Sequence, residues 1–134
     1  MTGSRYLLDT HVWLWAVGSS KQLGRRTRTI LENRANGLVL SVASAWEIAI
    51  KVRLGKLDVG GDVESFLRSR IRGTATDILN IEFEHVVALA ALPPHHRDPF
   101  DRLLVAQAKH EGLPMLSADP WLRPYGIELL DPAK

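Results

Sequence analysis

Short apolar runs alternate along this chain with longer stretches of helical periodicity, and glycine, proline or small polar residues mark each change. Arg5–Leu8 reads as a short buried strand closed by Asp9-Thr10, and an apolar helix follows over His11–Val17. Gly18-Ser19-Ser20 forms a turn. Ser20 then serves as N-cap for a helix over Lys21–Ala35 that turns Leu23, Ile30 and Leu31 inward. Asn36-Gly37 ends it. Leu38–Ser41 is a second strand, and a helix over Ala43–Leu54 follows, stopped by Gly55 as a left-handed C-terminal glycine stops one.

Beyond the Gly60-Gly61 loop, Asp62 caps a helix over Val63–Arg72 with Val63, Phe66, Leu67 and Ile71 on one face. Ile78–Ile81 is the third strand. Glu82–Leu92 is helical up to Pro93-Pro94, because a residue before proline is pushed out of the helical region. Pro99–Glu111 is a strongly periodic helix carrying Phe100, Leu103, Leu104, Ala106 and Ala108. Pro114–Ser117 and Ile127–Leu130 are the last strands, separated by the short segment Asp119–Gly126. Strands alternating with helices predict an α/β fold of three layers, a mostly parallel central sheet flanked by helices, in a single domain over residues 1–134.

Sheets of this kind bind ligands outside the carboxyl ends of their strands. That placement gives weight to four acidic stretches: Leu8-Asp9-Thr10, Trp46-Glu47-Ile48, Asp98-Pro99-Phe100-Asp101 and Ser117-Ala118-Asp119. Asp9 and Asp119 each close a strand, Glu47 lies one to two turns into a helix, and Asp101 sits in the first turn of another. Ionised carboxylates are costly beside apolar runs unless something positive pairs with them. Gathered at one end of the sheet, they would call for a divalent cation.

Each acid also has a purely structural account. Asp98 is a good N-cap, Pro99 suits the first helical position, and Asp101 stands where a capping box places an acid. Asp119-Pro120 repeats the cap and proline. Glu47 with Lys51 makes an i, i+4 pair worth a few tenths of a kcal/mol, normally in water, yet the helix around it is apolar nearly all round. Asp9, between Leu8 and Val12-Trp13-Leu14-Trp15, needs a donor or a cation, and capping the helix that follows is its structural account.

Composition narrows the chemistry. The absence of cysteine excludes disulfides, zinc-thiolate sites and thiol catalysis, so any metal is held by carboxylates, histidine or backbone oxygens. The five histidines show no i, i+4 pair and no HExxH spacing. Walker, GxGxxG and serine-elbow patterns are absent. A phosphatase working through an aspartyl phosphate would want a second Asp two residues after Asp9, where His11 stands. No secretory leader precedes the first strand and no stretch has the length of a membrane span, so the chain is expected in the cytoplasm. The net charge of +2 is mild, but basic residues cluster at Lys21–Arg34, Arg68–Arg72 and His95-His96-Arg97, as solvated helix faces or as phosphate contacts.

Leu7-Leu8-Asp9-Thr10-His11-Val12-Trp13-Leu14-Trp15, then Ser44-Ala45-Trp46-Glu47-Ile48-Ala49-Ile50-Lys51 and Leu54-Gly55-Lys56-Leu57, resemble the opening motifs of PIN-domain proteins. His96-Arg97-Asp98-Pro99-Phe100-Asp101-Arg102-Leu103-Leu104 and Ser117-Ala118-Asp119 resemble the closing ones, so the likeness runs from Tyr6 to Leu130. It is greatest to the VapC-type toxins of bacterial VapBC toxin–antitoxin modules.

The resemblance implies a PIN-like fold and a Mg²⁺- or Mn²⁺-dependent endoribonuclease, usually dimeric and neutralised by a cognate VapB-type antitoxin. It assigns the acidic quartet to Asp9, Glu47, Asp101 and Asp119, with Asp98 an extra acid that caps the helix or supports the metal. Thr10 and Ser117 are candidates for orienting water or carboxylates, and Arg97 and Arg102 for holding RNA phosphates. Hard divalent cations suit such an all-oxygen set. The competing expectation is a catalytically idle RNA-binding or regulatory module of the same family.

Overall fold

A computed structural model describes residues 3–18, 20–94 and 98–134. Five strands, β1 (Arg5–Leu8), β2 (Gly37–Ser41), β3 (Asp77–Leu79), β4 (Met115–Leu116) and β5 (Leu129–Leu130), form one sheet in the order β3-β2-β1-β4-β5. Every pairing is parallel, with Leu7 opposite Val39 on one side and Met115 on the other. The helices are α1 (Thr10–Val17), α2 (Arg25–Glu32), α3 (Val42–Arg53), α4 (Val63–Gly73), α5 (Phe83–Ala90) and α6 (Pro99–Glu111), with a 3-10 turn over Pro120–Tyr125.

The period of two in the strands divides the core. Leu7, Val39 and Met115 face a layer in which α6 supplies Leu104, Val105 and Ala108 and α5 supplies Ala88 and Leu89. Leu8, Leu38, Leu40 and Leu116 face the opposite layer, where α1 contributes Val12 and Trp13, α3 Ile48, and α4 Phe66 and Leu67. Both faces of the sheet are covered, as an all-parallel sheet requires. The three-layer α/β architecture read from the alternating pattern is therefore the observed one, and every predicted strand and helix is present.

The main departure is α2, which begins at Arg25 rather than Lys21 and ends at Glu32. Ser20 does not cap it. Its hydroxyl accepts from the Gln22 amide at 3.1 Å, and its carbonyl takes the Leu23 amide and the Arg28 Nη2, closing a turn before the helix. The open amides at the start of α2 are met instead by carbonyls of Pro132 and Lys134. That contact needs Gly24, since a Cβ there would stand 2.3 Å from the Ala133 carbonyl oxygen. Gly55 follows α3 with φ +72°, the left-handed conformation expected of it. No helix among the described residues is long and apolar enough to cross a membrane.

Order along the sheet fixes where a ligand can bind. From β1 the chain moves outward through β2 and β3, then returns to the other side of β1 with β4 and β5. Connections leaving β1 and β4 therefore diverge, opening a crevice at the carboxyl ends of these two neighbours.

Candidate metal centre

Asp9 and Ser117, the residues that follow β1 and β4, face each other across that crevice. The Ser117 hydroxyl donates to Asp9 Oδ2 at 2.6 Å, and the Thr10 amide, at the start of α1, donates to Oδ1 at 2.8 Å. Asp9 is 3% exposed. Burial pushes its carboxyl above the ordinary range, the charge of Glu47 adds to the rise, and Ser117, His11 and the Thr10 amide oppose it.

Glu47 is tied to the same place from α3. Its Oε1 accepts from the Thr10 hydroxyl at 2.6 Å, and its Oε2 pairs with Lys51 at 3.1 Å. Thr10 thus touches both acids, Asp9 through its amide and Glu47 through its hydroxyl. The i, i+4 pair expected from sequence is real, but it is half-buried and turned toward the site. Three residues earlier on the same face of α3, Ser44 keeps a buried hydroxyl with no hydrogen-bond partner among the described residues.

Asp119 follows β4, and its amide donates to the Ser117 hydroxyl at 3.1 Å. One of its carboxylate oxygens accepts from the Trp121 amide at 2.9 Å, so it also caps the 3-10 turn. Asp98 behaves as the capping account predicts: its Oδ1 accepts from the amides of Phe100 at 2.8 Å and Asp101 at 3.3 Å. Asp101 lies in the first turn of α6, which rests on α3 through an edge contact of Phe100 with Trp46, ring centroids 5.0 Å apart. Chain neighbours of those two rings are Asp101 and Glu47.

Arg102 is turned back from open solvent: its Nη2 donates to the Leu92 carbonyl at 3.3 Å, and its buried Nε has no partner among the described residues. Arg97, with His95 and His96, lies outside the described residues. His11 is a member that sequence reasoning passed over. Its Nδ1 lies 3.6 Å from Asp9 Oδ2 and its Nε2 accepts from the Ala118 amide at 3.4 Å, bracing the β4 loop against β1. The available signal was its place two residues after Asp9, masked by the search for paired histidines.

Gln107 is a second member found only in three dimensions. Wholly buried on α6, it accepts from the Ser41 hydroxyl at 2.5 Å and donates to the Asn80 carbonyl at 3.3 Å. Ser41 in turn caps α3 by accepting from the Ala43 amide, so Gln107 sets the start of the helix that carries Glu47. Gln107→Leu should cost about 1–3 kcal/mol, because it strands a buried hydroxyl, and thermal melting would read the loss.

Among the described residues, the three candidate ligand atoms that lie within 4.8 Å of one another belong not to the strand-end set of acids but to His85, His110 and Glu111. This cluster lies at the opposite end of α6 from Asp101. His85 Nδ1 accepts from the Glu82 amide at 2.9 Å, which leaves the ring proton on Nε2, pointing at Glu111 Oε2 3.0 Å away. With both nitrogens engaged, this ring joins α5 to α6 and is not free to ligate a metal.

The strand-end set fits a hard divalent cation. Its donors are carboxylate and hydroxyl oxygens, and the buried Asp9 carboxylate stands close to Glu47, an arrangement of like charges that a cation relieves.

A parallel α/β sandwich whose switch point holds Asp9, linked through Thr10 to Glu47 and through Ser117 to Asp119, defines the class of protein. The chain belongs to the PIN-domain family, whose model, described as PIN domain, matches residues 6–126. Over 59 residues it is 42% identical to Ribonuclease VapC16 of Mycobacterium tuberculosis, a stretch covering 44% of this chain and 42% of that protein. Less than half the length of that relative is therefore spanned. Its fold is similar to that of VapBC2 from Rickettsia felis, solved bound to a DNA fragment from the promoter, with TM-score 0.70, 13% identity and coverage of 94% of this chain and 97% of the other. FitAcB from Neisseria gonorrhoeae is similar at TM-score 0.64 and 20% identity, covering 95% and 97%.

Proposed function

We propose that this protein is a divalent-metal-dependent endoribonuclease, the toxin of a toxin–antitoxin pair, acting in the cytoplasm and built as a single domain. The observation that carries the reading is the Asp9–Ser117–Thr10–Glu47 cluster across the β1/β4 crevice, buried and acidic in a fold whose ligands bind there. The similarity to a protein called a ribonuclease supports RNA as substrate.

Asp9, Glu47, Asp101 and Asp119 hold the cation, Mg²⁺ or Mn²⁺, in this proposal. When bound, the cation supplies Lewis acidity at phosphorus and neutralises charge that develops on the leaving side. Ser117 fixes one oxygen of Asp9 and Thr10 fixes one of Glu47, so neither carboxylate needs to reorganise. Glu47 or Asp119 takes the proton of the attacking water, both being only partly buried. Arg97 holds a neighbouring phosphate, joined by Arg102 once its guanidinium leaves the Leu92 carbonyl.

Partners follow from the surface and from the similar structures. Several of those are toxin–antitoxin assemblies, which supports a cognate VapB-type antitoxin as the neutralising partner. Ile78, Ile81, Phe83, Val86 and Val87 leave an exposed apolar strip over β3 and α5, larger than the exposed Trp46 and Leu54 of α3. A strip of this kind favours association, and a homodimer is the proposed form.

Incubating the purified protein with total bacterial RNA tests the activity. Cleavage should appear with Mg²⁺ or Mn²⁺ and stop with EDTA. RNA binding without metal-dependent cleavage would instead establish the idle module.

A further inference from the structure

Two of the four tryptophans are exposed, and Trp121 is the more open, at 69%. The Trp46 ring is engaged in an edge contact with Phe100, whereas Trp121 stands on the turn that follows Asp119. Its amide donates to the Asp119 carboxylate at 2.9 Å, and Pro120 and Pro124 restrict the 3-10 turn around it. Leu122 and Tyr125, buried on the inner side of that turn, hold it against the body of the protein. The indole is thus presented outward from a rigid base, two residues beyond a proposed metal-site residue.

We infer that Trp121 is a stacking platform for an unpaired base of the RNA, next to the phosphate at the acidic crevice. The inference rests on the ribonuclease reading above. A hollow lined by Ser117, Asp119, Arg123 and Asp131 among others places the exposed Arg123 of this turn next to the acidic crevice. A base of an RNA strand held at the crevice that reaches this turn meets the exposed indole face. Stacking of this kind is tolerant of sequence and open only to a base outside a duplex, so it selects single-stranded segments.

A protein partner is the less suitable occupant. The residues flanking the ring, Pro120, Arg123 and Pro124, are exposed and include a cation, whereas contiguous exposed apolar surface lies on β3 and α5. An exposed ring on a turn that carries an exposed Arg123 and follows Asp119 matches a nucleotide better than an apolar protein face.

The test uses the full chain carrying Asp9→Asn, so that RNA is bound and not cut, with a short single-stranded RNA as probe. Adding Trp121→Ala should weaken binding about tenfold, the scale of one lost base stack, while Trp121→Phe retains most of the affinity. Binding of the same RNA annealed to its complement should be insensitive to both. In the otherwise native protein, Trp121→Ala should raise KM for single-stranded RNA more than it lowers kcat. Unchanged affinity on Trp121→Ala, or equal losses for Ala and Phe, overturns the proposal. So does unchanged RNA affinity accompanied by weaker binding of a co-expressed antitoxin, which would make Trp121 a protein contact. Native protein that cleaves RNA alongside an indifferent Trp121→Ala rejects only the platform. Native protein that neither cleaves nor binds RNA rejects both readings. Melting of the variants controls for folding, and an exposed ring should leave it unaltered.

Discussion

Replacing Asp9 by asparagine lowers metal-dependent RNA cleavage by about a hundred- to a thousandfold, while the metal-free protein melts at the same temperature or higher. The expected loss follows from the proposed function, in which Asp9 is one charged ligand of a cation worth several kcal/mol to the reaction. The gain in stability follows from the same burial. Asp9 is held above the ordinary carboxyl range chiefly because desolvation penalises its charge. Folded protein therefore keeps this proton through a window in which the unfolded chain, ionising near pH 4, has lost it. Since the folded state then binds more protons, stability falls as pH rises through that window and stays lower above it.

Asparagine removes that penalty and preserves the shape, with its carbonyl still able to accept from the Thr10 amide. Two measurements check the pair of effects: melting across pH 4 to 8, and melting with added Mn²⁺. The native protein should gain stability from the cation and the variant should not. Undiminished cleavage by Asp9→Asn would remove Asp9 from the site.

The second large effect separates two acids three residues apart. Asp101→Asn should reduce cleavage about a hundredfold, whereas Asp98→Asn should leave it within a few-fold of native. Asp98 accepts from the amides of Phe100 and Asp101, and an asparagine carbonyl performs that task nearly as well. Its charge adds only a fraction of a kcal/mol at the helix N-terminus. Asp98→Ala, by contrast, should cost about 1 kcal/mol and lower the melting temperature by about 4 °C. Equal losses of cleavage for Asp98→Asn and Asp101→Asn would make both acids ligands.

These contrasts show why the helix caps were readable and the site only partly so. A cap is local: Asp62, Asp98 and Asp119 accept from amides two or three residues onward, and sequence spacing states that directly. The start of α2 was misjudged for the opposite reason. Its amides are met by the chain near Pro132 and Lys134, more than a hundred residues away, and the hydroxyl of Ser20 is spent on a turn. Glu47 with Lys51 was legible as a pair. That the pair is half-buried and joined to Thr10 was not, because burial is decided by what packs over the helix.

By itself, the sequence determined the periodicities that make five short strands and the helices between them, their caps, and the acids that close β1 and β4. The apolar alternation left one sheet with two covered faces as the workable arrangement, and ligands of such a sheet belong at its carboxyl edge. Only the tertiary structure decided which strands are neighbours. With β4 inserted beside β1, Ser117 reaches Asp9 across 108 positions, His11 braces Ala118, and Gln107 meets Ser41. None of these contacts has a local signal, because each side chain satisfies a partner that strand order alone brings within reach. The acids are a property of the sequence; the burial of Asp9, which raises its carboxyl, and its closeness to Glu47 are properties of the fold.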